Sequence, residues 1–157
     1  MAEDRVRKYF KKYNMDDRII VFNTPISSVE LAANALGCKA EKIAKSLSFI
    51  VNEKPIIIVM CGDVKVDNPK YRHEFGCKAK MIHFEDVEKL IGHEPGGVCP
   101  FAVNEDVDVF LDESLKQFDT VFPACGSILS CIELTISELE KYSNFKKWID
   151  VSKKIEE

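Results

Sequence analysis

What this 157-residue chain lacks narrows its chemistry first. No stretch approaches the roughly 18 consecutive apolar residues that a membrane span needs. The charged start Met1-Ala2-Glu3-Asp4-Arg5 is unlike a signal peptide. No G-K-[ST] closes a phosphate loop, so nucleoside triphosphate chemistry is not expected, and no G-x-S-x-G nucleophile elbow is present. His73, His83 and His93 stand ten residues apart, which is not metal-ligand spacing, and no zinc signature occurs. Six cysteines (Cys38, Cys61, Cys77, Cys99, Cys125 and Cys131) form no C-x-x-C pair and sit mostly in or beside apolar runs. That is the placement of reduced core thiols in a cytoplasmic protein rather than of a disulfide framework. Repeats, linkers and low-complexity tracts are missing. So are alternating βαβ units, which argues against a doubly wound nucleotide fold.

What is present suffices for one compact domain over residues 1–157. Apolar residues make up 46% of the chain, and ten Phe supply bulk for a single core. The net charge of −4 conceals an asymmetry. Residues 1–80 carry 15 Lys/Arg against 10 Asp/Glu, whereas residues 81–157 carry 7 against 16. A uniformly basic nucleic-acid binder is thereby excluded. A basic face drawn from the first half and an ordinary solvated surface both fit.

Periodicity places the elements. Val6, Tyr9, Phe10 and Tyr13 give an N-terminal amphipathic helix, and Arg18 to Phe22 reads as a short strand ended by Thr24-Pro25. Ser27 and Glu30 form a capping-box pattern before the stripe Val29, Ala32, Ala33, Leu36, and Gly37 stops that helix. Leu47 to Val51 and Pro55 to Cys61 read as a hairpin across Asn52-Glu53-Lys54. Asn68-Pro69 opens a helix closed by Gly76. Lys80 to Ile82 suggests a strand, and Phe84 to Ile91 a helix with acidic residues in its first turn. Beyond a Gly/Pro-rich loop at 92–100, strands are expected at Phe101 to Val103, Val107 to Leu111, Thr120 to Ala124 and Ile128 to Leu134. A last helix follows, capped by Ser137 with Glu140. Strands in runs make the class α+β, with a mixed, curved sheet.

Three places could carry chemistry. Extended, Lys45 shares a face with Leu47, Phe49 and Val51, so its ammonium is directed toward the core or a cleft beside it and needs a polar or anionic partner there. At the strand end it could equally snorkel to water. Gly96-Gly97 would let backbone N–H groups approach a ligand oxygen, or it forms a tight turn without one. Ala124-Cys125-Gly126-Ser127 offers a hydroxyl at a chain reversal, or a plain hairpin turn. Cys99 with His93 could form a thiol–imidazole pair, although no orienting third group is evident.

Taken in order, these segments resemble the YbaK/EbsC family of prolyl-tRNA synthetase-associated editing domains. The likeness is carried by Ser27-Ser28-Val29-Glu30-Leu31-Ala32-Ala33, Glu41-Lys42-Ile43-Ala44-Lys45-Ser46-Leu47, Gly92 through Phe101, and Ala124-Cys125-Gly126-Ser127 with Ile132-Glu133-Leu134. The resemblance implies a single barrel-like mixed sheet flanked by helices. It also implies a free-standing cytoplasmic hydrolase that removes a mischarged small amino acid, of cysteine or alanine type, from proline tRNA. A non-catalytic binder of tRNA acceptor ends with the same fold is the alternative. Lys45 would hold the terminal nucleotide. The backbone at Gly96 and Gly97, in the G-x-x-x-P loop ending at Pro100, would face the ester carbonyl, and Gly126 and Ser127 would line the pocket. No cofactor or metal is implied. The partners would be an aminoacyl-tRNA acceptor end and a prolyl-tRNA synthetase, with neither membrane nor DNA. One departure stands out: Cys131 occupies a position that is acidic in the cysteine-specific branch, which keeps alanyl, seryl and threonyl substrates open.

Overall fold

A computed structural model describes residues 2–155. Its centre is the hairpin of β2 (Ile43–Val51) and β3 (Lys54–Cys61), paired antiparallel from Ala44↔Cys61 to Val51↔Lys54. Asn52 and Glu53 both take positive φ (50° and 67°), the backbone that a two-residue hairpin turn with the correct twist demands. This fixes the register. Ile56 to Cys61 are almost wholly buried, because β3 is flanked on both edges and covered on both faces. Its run Ile56-Ile57-Ile58-Val59 is the continuous apolar stretch such a strand needs.

Beyond β3 lie β5 (Asp108–Asp112) and β9 (Lys147–Ile149), each joined in parallel. On the far side of β2 lies β6 (Thr120–Pro123), parallel, and then β8 (Leu134–Thr135), antiparallel to β6. The six strands make one mixed, curled sheet. Two small ladders complete it: β1 (Ile19–Val21) with β7 (Ser130–Ile132), and β4 (Val64–Val66) with β10 (Ser152–Lys154). The expected α+β class with a mixed, curved sheet is what the molecule adopts.

The helices close the core. α1 (Ala2–Lys11) buries Val6 and Phe10, and Phe10 meets Phe101 edge-on at 4.8 Å. α3 (Asn68–Phe75) buries Tyr71 against Phe49 at 5.3 Å. α4 is a single short helix at Val87–Ile91, and α5 (Ile136–Ser143) packs Leu139 and Tyr142 inward. Asp112, at the end of β5, is fully buried and satisfied. It accepts from Ser114 N (3.0 Å), Val151 N (2.9 Å) and Ser152 Oγ (2.6 Å), tying the C-terminal strands to the sheet. α2 (Val29–Leu36) sits apart over a second, smaller apolar cluster of Ile26, Ala32, Ala33, Ile43 and Cys131.

Several local expectations shift. The α2 cap is Ser28, accepting from Leu31 N, not Ser27. The last helix is capped two residues earlier than Ser137/Glu140, by a complete capping box of Thr135 and Glu138. Phe101 to Val103 is no strand: Ala102 has φ 52°, and Phe101 packs rather than pairs. Ile128 to Leu134 divides into β7 and β8. Lys80 to Ile82 forms only a bridge, Phe49↔Met81. The Phe84–Ile91 helix begins as a 3₁₀ turn at Phe84–Asp86. Strands β4, β9 and β10 have no counterpart in the sequence reading, being three residues each and rich in lysine.

Candidate active-site cleft

The cleft arises where one edge of β2 is left open. β6 pairs with β2 only at Ile43 and Ala44. Then Ala124 turns away to pair with Cys131, and Cys125 N donates to Ser130 O at 3.1 Å. Pairing along that edge resumes at Phe49, opposite Met81, with Ile82 N donating to Ser48 O (3.2 Å) and Ile50 N to Lys80 O (2.9 Å). Between the two, Lys45, Ser46 and Leu47 border a cavity of 480 Å³ roofed by α2 and by the loop carrying Pro95 and Gly96. That size is typical of small-molecule sites. Its inner end is apolar, formed by the smaller cluster with Val29, Leu36 and Phe122.

Lys45 is half-buried in this wall. Its ammonium donates to the carbonyls of Gly62 (3.4 Å) and Val64. An ammonium has three donors, so one remains without an acceptor among the described residues. Burial lowers the Lys45 pKa, opposed by the charge of Asp63. The Asp63 carboxylate is turned to Lys154 at 2.8 Å, so among the described residues no acid is hydrogen-bonded to Lys45. The turn supplying the carbonyls is held by Gly62, where a Cβ would lie 2.3 Å from Ala40 O and 2.6 Å from Val29 Cγ1. The sequence reading missed Gly62; the Gly-Asp pair after β3 is its only trace.

The other expected residues converge unevenly. Gly96 lines the cleft, with φ 88°, and a Cβ there would meet Ile128 Cγ2 at 3.0 Å and Ser27 Cβ at 3.2 Å. Gly97 is buried behind it. A Cβ on Gly97 would lie 2.7 Å from Ser127 N and Cα, so only glycine lets the loop rest on the Gly126-Ser127 turn. Both glycine amides were expected to face a carbonyl. The Gly97 N–H instead donates to Glu94 O at 3.0 Å, closing its own turn, while Gly96 N–H has no intramolecular acceptor among the described residues. Pro100, Gly126 and Ser127 are buried outside the lining. The Ser127 hydroxyl is engaged by Ser130 Oγ (3.0 Å) and Leu129 N (3.1 Å). Ser46, not singled out by sequence, lines the cleft with its buried Oγ unpartnered.

The ionisable side chains in the lining are Lys45 and Cys131. Burial pushes the Cys131 thiol up to about 12, so it stays neutral. Among the described residues, no carboxylate or imidazole lines the cleft to act as a base. The alternative pair, Cys99 and His93, lies fully buried elsewhere, 3.4 Å apart. Burial raises the Cys99 thiol to about 12 and lowers the His93 pKa. Among the described residues, no cluster of His, Cys, Asp and Glu could hold a metal, and no helix is long and apolar enough to cross a membrane.

Residues 23–142 match the aminoacyl-tRNA editing domain family, and the chain belongs to that family. It is 48% identical over 154 residues to "Uncharacterized protein YwhH" of Bacillus subtilis (strain 168), covering 98% of both chains. A proline–tRNA ligase of Limosilactobacillus fermentum is 35% identical over 95 residues, which are 57% of this chain and 17% of that enzyme. In fold it matches the solved structure titled "Crystal structure of a putative trans-editing enzyme for prolyl tRNA synthetase", with TM-score 0.86, 23% identity and 97% of each chain covered.

Proposed function

We propose that this protein is a cytoplasmic trans-editing deacylase that hydrolyses the ester of a mischarged small amino acid on tRNA, proline tRNA being the first candidate. The observation that carries the reading is the half-buried Lys45 ammonium, with one donor to spare, on the open edge of β2 in a cavity that Gly96 also lines. A cation there suits the phosphate or ribose of a terminal nucleotide. The Gly96 amide suits the oxygen that becomes negative when the ester is attacked. Gly97 acts as a positioning residue, through its rest on Ser127.

The missing base shapes the mechanism. An aminoacyl ester is already activated, so holding it beside a water and stabilising the oxyanion supplies much of the rate. The attacking water's proton passes through the free ribose hydroxyl of the substrate, which gives its own proton to the departing ester oxygen of the same ribose, so the acyl–oxygen bond breaks without a protein base. The apolar inner end, with neutral Cys131 where a charge would attract polar side chains, favours alanine over serine or threonine.

The same absence of a base favours a second reading, a binder of acceptor ends without turnover. Deacylation of Ala-, Cys-, Ser-, Thr- and Pro-charged proline tRNA separates the two. Lys45→Ala is expected to lower kcat/KM on the preferred species about 100-fold in the folded protein, the size of a lost charge-assisted contact, with a small fall in Tm from the loss of its bonds to the Gly62 and Val64 carbonyls. Hydrolysis of none of the five would leave the binder.

A further inference from the structure

An exposed strip, residues 78–84, runs beside the mouth of the cleft and is unused by the reading above. Phe84 is 76% exposed and Met81 55%, and both line the mouth. Lys78, Lys80 and His83 are exposed on the same strip, and none of the three has an ion pair or hydrogen bond from its side chain among the described residues. Glu85 and Asp86 end it. The strip is anchored rather than loose, since Met81 sits opposite Phe49 on β2 and Ile82 is buried beneath it. Phe49 is four residues along β2 from Lys45, about 13 Å at the rise of a strand. An aromatic ring left this bare on a stable backbone, with the unpaired Lys78 and Lys80 upstream on the same strip, has the chemistry of a single-stranded nucleic-acid track. Bases stack on apolar faces, and phosphates meet the lysines. Two apolar side chains are too narrow a face for a protein helix, which asks for a stripe of anchors.

We propose that Phe84 and Met81 form a stacking platform for the unpaired nucleotides that precede the terminal one held at Lys45, with Lys78 and Lys80 neutralising their phosphates. The proposal rests on the cleft taking a tRNA acceptor end, and adds the path by which that end arrives. The probe is a fluorescein-labelled single-stranded RNA 8-mer ending in CCA, read by anisotropy, beside steady-state deacylation. Phe84→Ala is expected to weaken RNA binding about tenfold and to raise KM alike, with kcat unchanged. Phe84→Trp restores both. Replacing Lys78 and Lys80 by alanine together flattens the salt dependence of binding by about 1.4 in logarithmic slope. Wild type that fails to bind the 8-mer at millimolar concentration overturns the platform. So does Phe84→Ala binding as tightly as wild type, or Phe84→Leu binding as well as Phe84→Trp. The 8-mer carries no amino acid, so the two readings fail separately. A protein that hydrolyses no ester but loses RNA with Phe84→Ala keeps the platform and loses the deacylase. One that hydrolyses esters without regard to Phe84 does the reverse.

Discussion

Strand β2 has two edges of opposite character. On one, β3 pairs residue for residue from Ala44 to Val51, and the backbone groups facing it are satisfied inside the sheet. On the other, β6 leaves after Ala44 and the bridge at Met81 arrives only at Phe49. The closed side is packed by large apolar side chains and fastened by Asp112, whose buried carboxylate accepts three hydrogen bonds. On the open side stand a lysine with a spare donor, a serine hydroxyl without a partner among the described residues and, at Gly96 in the lining, an amide with no intramolecular acceptor among them. A stable fold satisfies its buried polar groups; a binding site is where it leaves them for the ligand. The comparison holds if mutations on the closed side cost stability and mutations on the open side cost activity.

The largest effect belongs to the closed side. Asp112→Ala strips acceptors from Ser114 N, Val151 N and Ser152 Oγ at once. Urea unfolding is expected to show a loss of about 4 kcal/mol, with kcat/KM at 25 °C unchanged in whatever fraction stays folded. A loss below 1 kcal/mol would mean water replaces the carboxylate, and the contrast between the edges would weaken. Next comes Gly97→Ala, which sits where the sides meet. Its Cβ would strike Ser127 backbone atoms at 2.7 Å, and backbone cannot yield as a side chain can. We expect about 3 kcal/mol of destabilisation, and in the folded fraction a fall in kcat rather than a rise in KM, since Gly96 would be pushed off its position. A pure KM effect would place the loop in binding instead.

A smaller effect tests a fastening near the surface. The hydrogen bond from Arg18 (2.7 Å), with help from the helix cap, holds the Glu138 carboxyl down at about 2, well below its ordinary 4.5. A depressed carboxylate contributes stability that is present above pH 4.5 and lost as pH falls toward 2. Both partners are partly solvated, so Glu138→Gln should cost about 1 kcal/mol at pH 7. It should also flatten the acid limb between pH 4.5 and 2, measured by thermal melts across that range. An unchanged limb would assign acid unfolding to other carboxylates.

How much of this was legible in the sequence follows from what each feature depends on. The hairpin, α2, α3 and the mixed sheet were readable because apolar runs, Asn-Glu and Asn-Pro turns and Gly stops are local signals. The short strands β4, β9 and β10 were not, since three residues such as Ser152-Lys153-Lys154 owe their extended form to a partner far away in the chain. The caps at Ser28 and Thr135 were missed by one or two places because adjacent Ser and Thr residues offer the same pattern. Lys45 was visible as a charge in an apolar strand, and Gly96 as half of a glycine pair. That Gly97 serves packing, that Gly62 shapes the lysine's cradle, and that the edge at Ser46 is open are properties of how distant backbones meet, which no local pattern states.

The smallest expected effect is the most informative about chemistry, and it concerns Cys99 and His93. Six residues apart in sequence, they suggest a nucleophile and its base. In the structure His93 Nε2 lies 2.7 Å from Phe101 O. A carbonyl only accepts, so Nε2 carries the proton and its lone pair is unavailable to the Cys99 thiol 3.4 Å away. The basic nitrogen is then Nδ1, which is buried without a partner. The imidazole is thus wired to donate where a base would have to accept. Burial adds to this by holding the thiol neutral and the ring uncharged. Cys99→Ala should therefore leave kcat/KM within about twofold of wild type, costing only the stability of a small cavity, about 1 kcal/mol. Iodoacetamide at neutral pH should label the partly accessible Cys38 and Cys77 and spare Cys99, as read by mass spectrometry of the intact, active protein. A hundredfold loss in Cys99→Ala with the fold intact would move the chemistry from the open edge of β2 into the core. It would make the cleft a binding site for a reaction carried out elsewhere, and the geometry around Nε2 argues against that.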